Sequence, residues 1–405
     1  MVQSFVIVGG GLAGAKAAEA LREQGFDGRI VLVGAEEHLP YERPPLSKDY
    51  LAGKAELDSI FVHDAQWYES QRIELLLGTE VISIDRPGHQ VELADGTRLD
   101  YTKLLLATGS SPRLLSIAGA DAAHYLRTVD DSTEIRQLLS GRLVVIGAGW
   151  IGLEVTAVAR QSGAEVTVLE FAELPLLRVL GPELGQVFAT LHAEHGVDLR
   201  FGVRTEEILT VDGKVTGVRL GDGTVIEASA VVVGIGAAPN TSLAEACGLE
   251  VSDGVLVDAS LRTSDPDIFA VGDIANAWHP TLGRRIRVEH WANALNQPAT
   301  AAAAMLDNDA SYDELPYFYT DQYDLGMEYL GHVEPDGYAQ VVYRGDVSAR
   351  EFIAFWLSSD QRVLAGMNVN VWDVTEPIKA LIRSGQPVDP ARLSDPDVPL
   401  EEVLG

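Results

Sequence analysis

The chain reads FVIVGGGLAGAKAAEALREQG from Phe5 to Gly25, and LVVIGAGWIGLEVTAVARQSG from Leu143 to Gly163 repeats the same pattern. Each copy sets a β-branched apolar run before Gly-x-Gly-x-x-Gly and an alanine-rich amphipathic stretch after it. Each therefore predicts a strand, a tight turn and a helix. The three glycines have separate duties. Gly9 and Gly147 let the strand turn sharply. Gly11 and Gly149 lack the Cβ that would keep a pyrophosphate from the positive end of the helix. Gly14 and Gly152 allow the helix to pack close to the strand. Two such turns in one chain point to two dinucleotide-phosphate cradles.

An acidic residue about 20 positions on, at the end of the next strand, can accept both hydroxyls of an adenosine ribose. The second copy meets this condition cleanly, because AEVTVLE ends in Glu170, 18 residues past Gly152. In the first copy Gly34 and Ala35 intervene before Glu36 and Glu37. Glu36 is the favoured ribose ligand, with Glu37 the alternative.

With 405 residues, the chain exceeds the roughly 250–300 that one core supports, so two or three domains are expected. No apolar run approaches the roughly 18 residues of a membrane span, and Met1 to Ser4 lead into the first strand, so a soluble, cytoplasmic protein is expected. The formal charge of −30 disfavours nucleic acid and anionic membrane partners, which reward clustered Lys and Arg. The nine histidines show no metal-ligand spacing, and no metal site is expected. Cys247 is the single cysteine, which excludes an intrachain disulfide and a C-x-x-C pair. Its setting, LAEACGLEVSDG, reads as surface helix and turn, more typical of a structural thiol than a catalytic one.

The order of elements predicts an α/β fold with two Rossmann-like domains and a C-terminal α+β domain. The first nucleotide domain is expected to be discontinuous, over 1–111 and 241–319, the second to occupy 112–240, and the last 320–405. Residues 103–113 (KLLLATGSSPR) read as a strand, Asp-Gly turns between 200 and 240 as hairpins, and Gln297 to Asp307 and Trp372 to Ser384 as helices. The proline-rich tail from Gly385 is expected to be a loosely ordered arm that tucks against the body or a neighbour.

On the stretches PYERPPLSKDYLAG (40–53), EHWANALNQ (289–297) and QYDLGMEYLG (322–331), together with the two glycine turns, the ATG strand and the VGD strand, the whole chain resembles the FAD-dependent pyridine nucleotide–disulfide reductase superfamily. Within it, the chain is most similar to the ferredoxin and rubredoxin reductase branch. The resemblance implies two glutathione-reductase-like nucleotide domains, FAD on the first turn and NADH on the second, and a two-iron ferredoxin or rubredoxin as electron acceptor that feeds an oxygenase or cytochrome P450. It assigns Gly9, Gly11, Leu12, Ala13, Gly14, Glu36, Arg43, Lys48, Val81, Ala107, Thr108, Gly109, Arg127 and Asp273 to FAD, and brings Val288, Glu289, His290, Trp291 and Ala292 to the isoalloxazine. Gly147, Gly149, Ile151, Gly152, Glu154, Glu170 and Gly236 fall to NADH. The two dinucleotides must meet face to face for hydride transfer, the chemistry belonging to the cofactors and the positioning to the protein.

Disulfide reductases of this fold place redox-active thiols beside the flavin. Here that neighbourhood reads Pro44-Pro45-Leu46-Ser47-Lys48, so electrons must leave by another route. Lys48 is expected to pair with Glu154 and to stabilise the reduced flavin, Glu154 to lie near the nicotinamide carboxamide, and Trp291 to mark the acceptor side. An NADH oxidase or an NADH-sensing flavoprotein is the alternative class, and both a monomer and a homodimer remain open. For docking, Arg284, Arg285 and Arg287, with Arg344, Arg350 or Lys379, are expected either to form a small positive window or to neutralise neighbouring acids.

Overall fold

The computed structural model describes residues 3–404. Residues 1, 2 and 405 lie outside the described set, and with the first two goes part of the expectation for Met1 to Ser4. The chain forms two compact units: one of residues up to Arg43, Glu56–Ser111 and Ala237–Pro316, the other of Pro44–Ala55, Pro112–Gly236 and the chain from Tyr317 onward.

In the first unit a five-stranded parallel sheet runs in the order Ile268–Ala270, Lys103–Leu106, Ser4–Val8, Arg29–Val33, Ile73–Leu76. Its strands are continuous apolar runs because a parallel sheet is covered on both faces; Val6, Val31 and Leu104 are all fully buried, with Val6 in register with both of the others. The helices Leu12–Glu23 and Trp291–Met305 pack together within this unit. Buried alanines (Ala13, Ala17 and Ala20 on one, Ala301, Ala302 and Ala304 on the other) permit that approach. The second helix begins six residues before the expected Gln297 and carries Pro298 inside it. The expected strand 103–113 is interrupted: Lys103–Leu106 belongs to the sheet, and Ser110–Pro112 pairs separately.

In the second unit a matching parallel sheet runs Asp198–Arg200, Glu165–Leu169, Arg142–Ile146, Ala230–Val233, His124–Tyr125. The Asp-Gly turns close an antiparallel sheet of Thr205–Val211, Lys214–Leu220 and Val225–Glu227, as the hairpin pattern predicts. From Tyr317 the chain forms a five-stranded antiparallel sheet, ordered Tyr317–Gln322, Leu325–Gly331, Val363–Val369, Glu351–Leu357, Gln340–Asp346. The helix Thr375–Ser384 lies on it, so close that a Cβ at Gly366 would come within 2.6 Å of Ile378. This C-terminal part shares its compact unit with the second glycine turn: Trp150, the first residue of the helix Trp150–Gln161, packs on both Phe188 and Phe318. The tail packs against the C-terminal sheet, as the tucked arm was expected to, and it is more ordered than expected. Arg344 donates to the carbonyls of Leu393, Asp395, Pro396 and Val398, and the chain there forms the helix Pro390–Ser394.

Candidate functional site

The two glycine turns are built alike. Gly9 and Gly147 have φ of +124° and +101°, open only to glycine without strain. A Cβ at Gly9 would lie 2.1 Å from the Ala107 carbonyl oxygen; at Gly147 it would lie 2.4 Å from that of Gly234. Gly14 and Gly152 are each locked against the first glycine of their own turn, with a hypothetical Cβ 2.0 and 2.1 Å from the Gly9 and Gly147 carbonyl oxygens. The middle glycines are different. A Cβ at Gly11 would meet no protein atom within 4 Å, and one at Gly149 only the Gly234 oxygen at 3.8 Å. Both are N-caps with no side-chain hydrogen bond to the helix. The outer glycines serve the fold, and the middle ones leave space at a helix N-terminus where backbone N–H groups and the dipole favour an anion. These cradles fit a dinucleotide pyrophosphate.

Around the first cradle, the first unit gathers Ala107, Thr108 and Gly109 at the end of their strand. Asn240 ties that end down, donating from Nδ2 to the Thr108 carbonyl (2.8 Å) and from its amide to Gly109 (3.0 Å). A Cβ at Gly272, which has φ of +76°, would lie 3.3 Å from the Ala13 methyl, so the backbone leading into Asp273 passes close to the helix Leu12–Glu23; Ser110 Oγ donates to the Asp273 carboxylate at 2.7 Å. The two candidate ribose acids part here. Glu36 accepts from Arg43 at 2.8 Å and from the Tyr41 hydroxyl, whereas Glu37 leans its stem toward Gly78. Arg43 lies over the Tyr41 ring, 5.2 Å from its centroid. Burial works against the Arg43 charge, but Tyr41, Glu36 and Asp273 outweigh it and raise its pKa. Val81 is buried at the start of a separate antiparallel strand, Val81–Asp85.

Of the residues expected at the isoalloxazine, Val288 and Ala292 are buried, Glu289 pairs with Arg287 at 2.6 Å, and His290 caps the helix that Trp291 opens. Trp291 Nε1 donates to the Glu42 carboxylate, whose pKa burial raises.

Within the second unit, Glu170 is held at its turn by two backbone amides: Ala148 N–H donates to one carboxylate oxygen (2.7 Å) and Ala172 N–H to the other (2.8 Å). Phe171 beside it is 73% exposed, Ile151 is also exposed, and Gly236 has φ of +102°. Lys48 Nζ donates to Glu154 Oε1 at 2.7 Å, so the ion pair expected from the sequence is present. Glu154 is only 3% exposed and also accepts from Thr320 Oγ1 (2.6 Å) and Ser47 Oγ. Lys48 lies over the Tyr319 ring at 5.4 Å. Arg127 precedes Thr128, which makes a capping box with Asp131 on the helix Val129–Arg136.

Residues the sequence reading missed include Ser47, Thr320 and Asn240. The signal for Ser47 lies in PPLSK itself, as a hydroxyl beside the lysine at the position where relatives of this fold carry a thiol. No local pattern marks Thr320, which meets Glu154 from 166 positions away. Cys247 ends the short helix Ser242–Ala246, its Sγ–H facing the Ala244 carbonyl, and burial raises its pKa, which keeps it a thiol.

Of the two outcomes expected for the basic residues, the contacts each makes within its own unit match neutralisation by neighbouring groups. Arg285 donates to the Val257 and Asn276 carbonyls, and Arg287 bridges Asp253 and Glu289. Arg350 pairs with Glu194 and Asp324, and Lys379 with Glu376. Among the described residues, no helix is long and apolar enough to cross a membrane.

Residues 3–298 match the family described as pyridine nucleotide-disulphide oxidoreductase, and residues 317–404 match that described as reductase C-terminal. The chain is 45% identical to the anthranilate 1,2-dioxygenase system ferredoxin–NAD(+) reductase component of Burkholderia cepacia, over 99% of each chain. It is 42% identical to putidaredoxin reductase of Pseudomonas putida, over 99% of this chain and 96% of the relative. Among solved structures, it superposes on the reductase in the covalent putidaredoxin reductase–putidaredoxin complex with a TM-score of 0.93 at 40% identity, covering 99% of this chain and 98% of that one. With the ferredoxin reductase for the CYP199A2 system of Rhodopseudomonas palustris the TM-score is 0.95 at 37% identity, with both chains covered completely.

Proposed function

Because this chain belongs to the pyridine nucleotide-disulphide oxidoreductase family, we infer that it is a ferredoxin reductase: it takes hydride from NADH onto FAD and delivers electrons to a small iron–sulfur protein that serves an oxygenase or a cytochrome P450. The observation that carries this reading is the pair of open helix N-termini at Gly11 and Gly149, in a chain whose only cysteine is Cys247. Two dinucleotides have seats, and no dithiol can take the electrons.

FAD, when bound, supplies acceptance of a two-electron hydride and release of electrons one at a time. The residues that would hold it are the Gly9–Gly14 turn, Thr108 and Gly109, Asp273, and Glu36 with Arg43. Glu36 is fixed by Arg43 and Tyr41, so its carboxylate is oriented before a ribose arrives. Val81, Arg127 and Val288–Ala292 complete the proposed FAD set.

For NADH, the Gly147–Gly152 turn would take the pyrophosphate and Glu170 the adenosine ribose. Ala148 N–H and Ala172 N–H orient that carboxylate without consuming all of its acceptor capacity. A 2′-phosphate would meet the negative charge of Glu170, so NADH is preferred over NADPH. Glu154 accepts from Ser47, Lys48 and Thr320, all as donors, which suits a carboxylate that holds no proton. Such a group fits the amide N–H₂ of the nicotinamide. Lys48 neutralises Glu154 in the resting protein, and its ammonium is the charge proposed to stabilise the reduced ring.

The test is anaerobic rapid mixing of the FAD-loaded protein with NADH and then with a two-iron ferredoxin or a rubredoxin. Rapid bleaching followed by fast reoxidation by the iron–sulfur protein is expected. Reoxidation as fast by oxygen alone as by any iron–sulfur protein would refute the reading.

A further inference from the structure

Thr320, which hydrogen-bonds Glu154, is the near end of a longer buried line. Gln322 Nε2 donates to Thr320 Oγ1 (3.2 Å), His192 Nε2 contacts Gln322 Oε1 (2.8 Å), and the Tyr323 hydroxyl faces His192 Nδ1 (3.3 Å). Glu154, Thr320, Gln322 and His192 are all buried. They come from three elements of the second unit: the helix Trp150–Gln161, the strand Tyr317–Gln322 and the helix Leu177–Glu194.

Donor capacity fixes the direction of every bond. Lys48 has only protons to give, so the Glu154 carboxylate must accept. Thr320 takes a proton from the Gln322 amide and therefore turns its own toward Glu154. The Gln322 carbonyl needs a donor, which makes Nε2 the protonated nitrogen of His192 and leaves Nδ1 to accept from Tyr323. Burial pushes the His192 imidazole down to about 4, consistent with a neutral ring bearing one proton. At the far end the Tyr323 ring stacks on His195, centroids 3.7 Å apart. All the donors point one way, toward Glu154. A primary amide in mid-line does not pass protons on, so the line orients and does not conduct.

We propose that Thr320, Gln322 and His192 are positioning residues that aim and polarise Glu154 as the acceptor for the nicotinamide amide of NADH, an inference that rests on the reading of Glu154 given above. A one-directional chain reinforces its last bond, here the one on the carboxylate. Without it, Glu154 turns toward Lys48 and Ser47 and away from the substrate.

The test uses the FAD-loaded protein under anaerobic NADH reduction, with ferricyanide turnover for KM and kcat. Thr320→Val keeps the shape and removes the hydroxyl. It should lower kcat/KM for NADH by about tenfold to a hundredfold, the worth of one hydrogen bond to a charged group, mainly through KM and with FAD content unchanged. Thr320→Ser restores the hydroxyl and should recover most of the loss. Gln322→Leu should act in the same direction. Combined with Glu154→Gln, Thr320→Val should add little, because both act through one carboxylate. If Thr320→Val equals the natural chain while Glu154→Gln is impaired, the positioning line is refuted and the reading of Glu154 stands. Equal losses in the Ser and Val variants, or full additivity in the double variant, also refute the line. If Glu154→Gln itself reacts normally with NADH, the reading of Glu154 falls and the inference with it.

Discussion

Within one turn, Gly11 and Gly14 should respond differently to the same added methyl group. A Cβ at position 14 would lie 2.0 Å from the Gly9 carbonyl oxygen, a full ångström inside the 3.0 Å below which real Cβ atoms essentially never come. The obstacle is backbone, so the helix must move off the strand. Overpacking of this kind costs about 1–3 kcal/mol. At position 11 the methyl meets no protein atom within 4 Å, and φ of −91° with ψ of −171° is ordinary extended backbone for alanine. For the cofactor-free chain, the roughly 0.4–1 kcal/mol gained by narrowing the unfolded ensemble is offset by alanine being the poorer N-cap, so Gly11→Ala should leave its stability within about 1 kcal/mol of the natural chain. The space the methyl fills is nonetheless the proposed seat of the pyrophosphate. FAD affinity should fall roughly tenfold or more, about 1.4 kcal/mol or above.

The assay needs the cofactor-free proteins, because bound FAD adds its own stabilisation. Denaturant unfolding of apoprotein gives the first quantity and FAD titration gives the second. Gly14→Ala is expected to be less stable than the natural chain, and Gly11→Ala to lie close to it, yet pale after purification. Gly149→Ala is the control in the second turn: its Cβ has only an ordinary contact at 3.8 Å, so it should remain yellow and show a raised KM for NADH. A Gly11→Ala protein that keeps FAD with natural affinity would refute the assignment of the first turn.

Glu170→Gln should raise KM for NADH and shrink the preference over NADPH, measured as the ratio of kcat/KM values; an unchanged ratio would remove Glu170 from the ribose site. Lys48→Ala leaves Glu154 buried with hydroxyl donors but no countercharge, a change worth about 3 kcal/mol of stability, and should slow NADH reduction while FAD stays bound. The His192 pKa drops from 6.5 unfolded to about 4 folded, so the unfolded chain binds the extra proton and stability is lost as pH falls from 6.5 towards 4. The loss should approach about 3 kcal/mol, and Glu or Asp titrations being equal, urea midpoints of His192→Gln should show a shallower slope across that window. Arg287→Gln should destabilise the first unit by only about 0–1 kcal/mol, because Asp253 and Glu289 remain open to water, and should leave the salt dependence of ferredoxin turnover unchanged.

The two turns were legible because their requirements are local. Positive φ at Gly9 and Gly147 and the backbone contacts of Gly14 and Gly152 act over a few residues or through the next strand, so the glycines had to appear in the sequence at fixed spacing. Glu170 was legible for the same reason, as the residue that follows a strand whose register is set by its neighbour. The setting of Glu154 was only half legible. Lys48 could be paired with it through the family motif, but Thr320, Gln322 and His192 arrive from elements more than a hundred residues apart in places. A hydroxyl, an amide and an imidazole in ordinary amphipathic segments leave no periodic trace. The start of the helix Trp291–Met305 was missed because Pro298 reads as a breaker, yet its first two turns precede that proline and the buried alanines beyond it hold the helix against Leu12–Glu23.

Charge is the other place where the sequence left two outcomes open. At a net −30, the few arginines are each in demand from several acids and carbonyls, and the structure spends them within the fold: Arg287 on two carboxylates, Arg344 on four carbonyls, Arg350 on two carboxylates. A neutralised arginine adds little long-range field, so an acidic iron–sulfur protein cannot be drawn in by these residues against the surrounding negative potential. Recognition must then rest on short-range fit, with contacts made after encounter. Added salt screens the repulsion between two acidic partners as much as any local attraction. Association with an acidic ferredoxin should consequently hold steady or quicken at moderate ionic strength, the reverse of the behaviour expected from a positive docking window.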